Sequence, residues 1–145
     1  LNKYYNVSNE RGSRRITSDI YALATAVLFQ SPVQHFALAP NNLTDAPEYA
    51  IDFMKEVPTR WDEVRFVDGH PGKYVILARR SGNKWYIAGV NAMNQPLKQT
   101  LSLPMLEPKS QVTLYMNGEK KMVKLSRKQT IDVEIPTNGG LVVVQ

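Results

Sequence analysis

Along this chain the spacing of apolar and polar positions changes once, near Pro58. Before it the period is helical. Ile20, Leu23, Ala24, Val27 and Leu28 recur at i, i+3, i+4, i+7 and i+8, one stripe on a helix face. Thr17 or Ser18 can cap its start, and Pro32 forbids its continuation. Ser31-Pro32-Val33-Gln34 predicts a second helix, with Ser31 as N-cap, Pro32 as first helical residue and Gln34 as the returning side chain of a capping box. Asp45-Ala46-Pro47-Glu48 repeats that signal for a third helix. Its residues Tyr49, Ala50, Phe53, Met54 and Val57 share a face, and Pro58 ends it.

After Pro58 the period falls to two, and turn residues arrive at regular intervals. The spacing predicts strands over Trp61–Val67, Tyr74–Arg80, Trp85–Asn91, Lys98–Leu103, Gln111–Met116, Lys121–Leu125, Thr130–Ile135 and Leu141–Val144. Asn117-Gly118 is a strong hairpin signal, because a type I′ turn needs positive φ at both central residues. Ser81-Gly82-Asn83 marks a second hairpin. Ile131, Val133 and Ile135 alternate with Asp132 and Glu134, a strand with one wet face. The expected fold class is therefore α+β: a short helical stub, residues 1–57, followed by an all-β sandwich over residues 58–145. Residues 1–15 have no period and read as loop. Tyr21, Phe29, Phe36 and Leu38 lie off the best helical stripes, so the stub needs a further partner surface.

Composition narrows the function classes. At 145 residues with 43% hydrophobic and 21% charged residues, the chain has the make-up of one ordinary globular domain. No apolar run reaches the roughly 20 residues of a membrane span; the longest, Ile20–Phe29, is interrupted by Tyr21 and Thr25. Without cysteine there is no disulfide, thiolate metal site or cysteine nucleophile. The net charge of +5 comes entirely from the part after Glu56, where thirteen Lys/Arg face seven Asp/Glu, against five and six before. The chain opens on Leu1 without the charged-then-apolar pattern of an export signal, which leaves both a mature product and a piece of something longer open.

Residues able to carry chemistry are few. His35 and His70, the two histidines, have no second ligand at metal-binding spacing. No Gly-x-Ser-x-Gly elbow, calcium loop or phosphate-binding glycine loop is present. Asp62 and Glu63 are neighbours on a strand and point to opposite faces, so they cannot flank one glycosidic bond. Glu48, Asp52 and Glu56 form a row on one helix face, which reads as a solvated surface. Lys120, Lys121, Lys124, Arg127 and Lys128 lack interleaved aromatics, so they read as a lysine-protected sheet edge with no nucleic-acid partner. Trp61 and Trp85 are the candidate sugar platform, although adjacent Trp85 and Tyr86 must face opposite sides. No catalytic, metal or cofactor residue emerges. A free-standing carbohydrate-binding module and a protein-interaction module both remain open.

One ordered set of motifs is more specific. Ser31-Pro32-Val33-Gln34, Pro58-Thr59-Arg60-Trp61-Asp62-Glu63, Val67-Asp68-Gly69, the run Gly72–Arg80, the run Gly82–Gly89 and Gly139-Gly140-Leu141 together resemble the C-terminal region of glycoside hydrolase family 97. The resemblance covers residues 16–92 well and 93–145 loosely, with Met116-Asn117-Gly118-Glu119-Lys120 replacing a longer loop. It implies that the stub holds the last helices of a (β/α)₈ catalytic barrel and that the sandwich supports or oligomerises the enzyme. The implied parent is an exo-acting, calcium-dependent α-glucosidase or α-galactosidase exported to the periplasm, inverting or retaining according to branch. Its catalytic and calcium-binding carboxylates would lie upstream of Leu1, so the partners expected here are the upstream barrel, a second copy and, for the parent, an oligosaccharide. This chain alone is expected to be inactive and to hold no cofactor.

Overall fold

The computed structural model describes residues 15–38, 40 and 42–145; the loop expected over residues 1–15 lies outside the described residues except for Arg15. Three helices come first: α1 (Asp19–Leu28), α2 (Asn42–Asp45) and α3 (Glu48–Glu56). Eight strands follow: β1 (Glu63–His70), β2 (Tyr74–Ser81), β3 (Lys84–Asn91), β4 (Leu97–Ser102), β5 (Gln111–Met116), β6 (Glu119–Lys124), β7 (Thr130–Ile135) and β8 (Gly140–Val144). They form a six-stranded antiparallel sheet in the order β1-β2-β3-β8-β5-β6 and a two-stranded sheet of β4 and β7. Each expected strand is present, with boundaries moved by two or three residues at most.

The alternation of β3 shows how the layers are made. Trp85 and Ile87 point to one face of the large sheet, where they join Ile76, Leu114, Leu141 and Val143. Leu101, Ile131, Val133 and Ile135 of the small sheet close that core, with Leu103, Leu106 and Leu125 from the connections. Tyr86 and Ala88 point to the other face, where Val142 and Tyr115 meet Ile20, Leu23, Ala24 and Val27 of α1 and Ala50, Phe53 and Val57 of α3. The molecule is thus three layers: helices, six-stranded sheet, two-stranded sheet. Each fully buried aliphatic side chain contributes about 1.5–3 kcal/mol of transfer free energy. The large sheet is therefore stabilised from both sides over its centre.

Turns follow their residue chemistry. Asn117 and Gly118 have φ of 54° and 77°, the type I′ geometry expected of the β5–β6 hairpin. At the β2–β3 turn only Gly82, at φ 58°, is left-handed. Gly140 is required for another reason. A Cβ there would lie 2.6 Å from the backbone N and Cα of Tyr21, so α1 rests directly on the start of β8. Ser18 N donates to Asn138 O close by, and Ser18 Oγ caps α1 by accepting from Tyr21 N.

The helical half departs from expectation between α1 and α3. Ser31-Pro32-Val33-Gln34 starts no helix; residues 33–38 are irregular, and α2 is a single turn beginning at Asn42. The local signal is partly used, since Ser31 Oγ accepts from Val33 N. Gln34 does not return to cap Ser31. Its Nε2 instead donates to Ala26 O near the end of α1 and to Pro58 O. Those part-buried carbonyls outcompete a capping box, and the segment is drawn across the end of α1. Asp45 likewise ends α2 rather than capping α3, whose N-cap position is Pro47.

Candidate functional site

Among the described residues, helices α1 and α3 cover the large sheet over β3, β8 and β5 and leave the same face of β1, and of β2 beyond buried Arg79, less covered. Register places Val64 opposite Arg79 and Phe66 opposite Leu77, all on the helix side. Val64 is 48% and Phe66 68% exposed, and Phe29, just past α1, is 66% exposed. A depression of about 550 Å³ runs from Phe66 to Val75 and Val90. A second groove, about 340 Å³, lies on the outer side of α1 between Ala22 and Ala26 and the segment Val33–Leu38, with Phe29 at its margin. Exposed Phe29, Val64 and Phe66 therefore share the helix side of the molecule with an apolar groove.

Behind it sits a polar cluster that the sequence reading treated only as part of a motif. Arg79 is 1% exposed, and its Nη1 donates to Phe29 O at 2.8 Å. Its guanidinium lies 5.5 Å from the Trp61 ring centre, and no described carboxylate forms an ion pair with it. Burial pulls its pKa below the ordinary arginine value. Arg79 Nε, Trp61 Nε1 and Gln34 Oε1 are buried without a hydrogen-bond partner among the described residues. Arg79 ties the end of α1 to β2, and Gln34 ties the 31–34 segment to α1 and to Pro58. Its available signal was an arginine at a position whose alternation faces the helices.

The candidate platform residues are not brought together. Trp85 is 9% exposed and belongs to the core between the sheets, with Arg65 5.0 Å and Arg80 6.0 Å from its ring centre. Trp61 is half-buried on the opposite face, edge-on to Tyr86 at 5.4 Å. Asp62 and Glu63 have structural partners: Asp62 Oδ2 accepts from Gly82 N at 2.7 Å, and Glu63 pairs with Arg65 and Arg80. Those arginines hold the Glu63 carboxyl below its usual range. His35 is exposed at the groove, and His70 sits at the β1–β2 turn with Nδ1 3.0 Å from Pro71 O. Among the described residues no three His, Asp or Glu gather as a metal-binding group. None of the described helices is long and apolar enough to cross a membrane.

The basic segment begins on β6, the outermost strand opposite β1, and ends with Arg127 and Lys128 in the turn before β7. Lys120, Lys121 and Lys124 are exposed along it; Lys121 pairs with Glu119 at 3.2 Å, and Lys120 Nζ lies 5.8 Å from the Tyr115 ring centre. Burial raises the phenol pKa of Tyr86 and Tyr115 under the helices, and that of Tyr49 on α3.

A helix-capped β-sandwich without a self-contained catalytic cluster among its described residues is the class that this architecture defines. The chain belongs to the glycosyl-hydrolase 97 C-terminal (oligomerisation) family, whose pattern matches residues 60–144. It is similar to a β-arabinopyranosidase crystal structure, at 50% identity and TM-score 0.92, over 100% of this chain and 24% of that one. A glycoside hydrolase family 97 enzyme from Pseudoalteromonas sp. strain K8, solved with panose, matches 90% of this chain and 23% of its own at 25% identity and TM-score 0.76. The retaining α-galactosidase of Bacteroides thetaiotaomicron is 41% identical over 68 residues, 47% of this chain and 10% of that protein. The chain spans about a quarter of the solved relatives' length.

Proposed function

We propose that this chain is the supporting and oligomerisation domain at the C-terminal end of an exo-acting glycosidase, with residues 1–57 the last helices of the catalytic barrel. The observation that carries this reading is the one-sided surface. The helices satisfy the sheet with one face and turn an apolar groove outward, where a larger catalytic body would cover it. The catalytic carboxylates and any calcium belong to that body, which would be exported to the periplasm. Its substrates are non-reducing-end α-galactosides or sugars of the same ring configuration rather than α-glucosides. β-L-Arabinopyranose has the ring configuration of α-D-galactopyranose without its hydroxymethyl group, so likeness to a β-arabinopyranosidase and to an α-galactosidase supports a single pocket chemistry.

Nitrophenyl α-galactoside, α-glucoside and β-L-arabinopyranoside, supplied with calcium, test the assignment. No release above background is expected from this chain alone. The enzyme carrying this domain should cleave the galactoside or arabinoside faster than the glucoside. Turnover by the isolated chain overturns the supporting role; preference for the glucoside overturns the substrate class.

A further inference from the structure

The two edges of the large sheet are built differently, and only one is defended. β6 exposes Lys120, Lys121 and Lys124, and pairing it with another β6 would bring lysines against lysines. β1 carries Val64 and Phe66 on one face and the Glu63–Arg65 ion pair, 2.6 Å apart, on the other. We propose that β1 is where this chain pairs with a second copy of itself, edge to edge about a two-fold axis at Val64. The proposal rests on the oligomerisation reading above and assigns it a surface.

Self-complementarity is what favours a second copy. An antiparallel pair centred on Val64 sets Val64 against Val64 of the other copy and Glu63 against its Arg65, so apolar meets apolar and acid meets base. Phe66 then lies directly across from Asp62 of the other copy and diagonally across from its Val64, within reach of a large aromatic ring. The oligomerisation family matches residues 60–144, which include β1 and exclude the groove-lining helix α1. Pairing would also engage the outer backbone groups of β1 over residues 63–65, where the strand overlaps its copy; β2 is its only strand neighbour in the described sheet.

The chain has no cysteine, so Val64→Cys gives one thiol at the axis. With diamide as oxidant, Val64→Cys should become a disulfide-linked dimer, whereas Met122→Cys on β6 should stay single. By light scattering the wild type should weigh twice its 16.4 kDa, and the Val64→Lys/Phe66→Lys double variant once, with an unchanged circular dichroism spectrum. Both side chains are exposed, so the double variant leaves the core intact. A wild-type dimer that survives the double variant, with no Val64→Cys cross-link, overturns this edge and leaves oligomerisation standing. A wild type at 16.4 kDa throughout a concentration series overturns both. A double variant that releases the catalytic body in the parent enzyme without altering a dimer assigns the edge to that body and overturns the proposal.

Discussion

The two faces of the six-stranded sheet are covered by different means. On one, β4 and β7 lie flat against it, and the enclosed residues form a core spanning both sheets. On the other, α1 and α3 touch the sheet along single stripes, and β1 keeps exposed Val64 and Phe66. The difference teaches where the molecule is complete. The inter-sheet core is closed by residues of this chain alone, whereas the helix side ends in apolar surface that invites another body. Substitutions on the two sides should therefore differ in kind as well as in size.

The largest effect belongs to the inter-sheet core. Ile87 is fully buried there, so Ile87→Ala should cost about 4 kcal/mol and lower the midpoint of a single cooperative denaturant transition. Gly140→Ala attacks the other face. Its Cβ would meet the Tyr21 backbone, which cannot rotate away, and α1 must lift. A loss of about 2–3 kcal/mol is expected, with helical dichroism falling before the sheet signal. Coincident loss of both signals would mean that the layers are not separable.

A smaller effect comes from the cap. Ser18→Ala removes the acceptor for Tyr21 N and should cost about 1 kcal/mol, read as earlier fraying of α1 by hydrogen exchange. The smallest is a response to alkali. Burial raises the phenol pKa of Tyr49, Tyr86 and Tyr115, so the folded state holds their protons more tightly than the unfolded chain. Stability from these groups is fully present below the unfolded tyrosine value near 10 and is lost as pH rises through the raised folded values. Stability should be flat from pH 8 to 9.5 and then fall. Tyr49, Tyr86 and Tyr115 lie on the helix side and only Tyr74, also raised by burial, packs against the other core, so helical dichroism should go first; a sandwich that loosens ahead of the helices would contradict the comparison.

Most of the β half was legible in the sequence because its signals are local. Alternation located β7, Asn117-Gly118 set a turn, and the lysines marked β6 as an edge. What could not be read was pairing order, which depends on contacts distant along the chain. Nothing near Val64 and Phe66 says that β1 lies outermost, and nothing near Gly140 says that α1 lands on it. The helical half misled at Ser31–Gln34 for the same reason. A sound local cap signal was outcompeted by carbonyls of Ala26 and Pro58, eight and 24 residues away. Arg79 went unremarked because its role depends on Phe29 O, 50 residues distant.

Native-state hydrogen exchange tests the unequal closure of the two faces most directly. Amides of Ile87, Leu114 and Val143 should exchange only through global unfolding, with the denaturant dependence of the whole chain. Those of Leu23 and Ala24 in α1 should exchange through a smaller opening at markedly lower free energy. Equal protection and equal denaturant dependence for α1 and β3 would contradict the account, making helices and sandwich one closed unit.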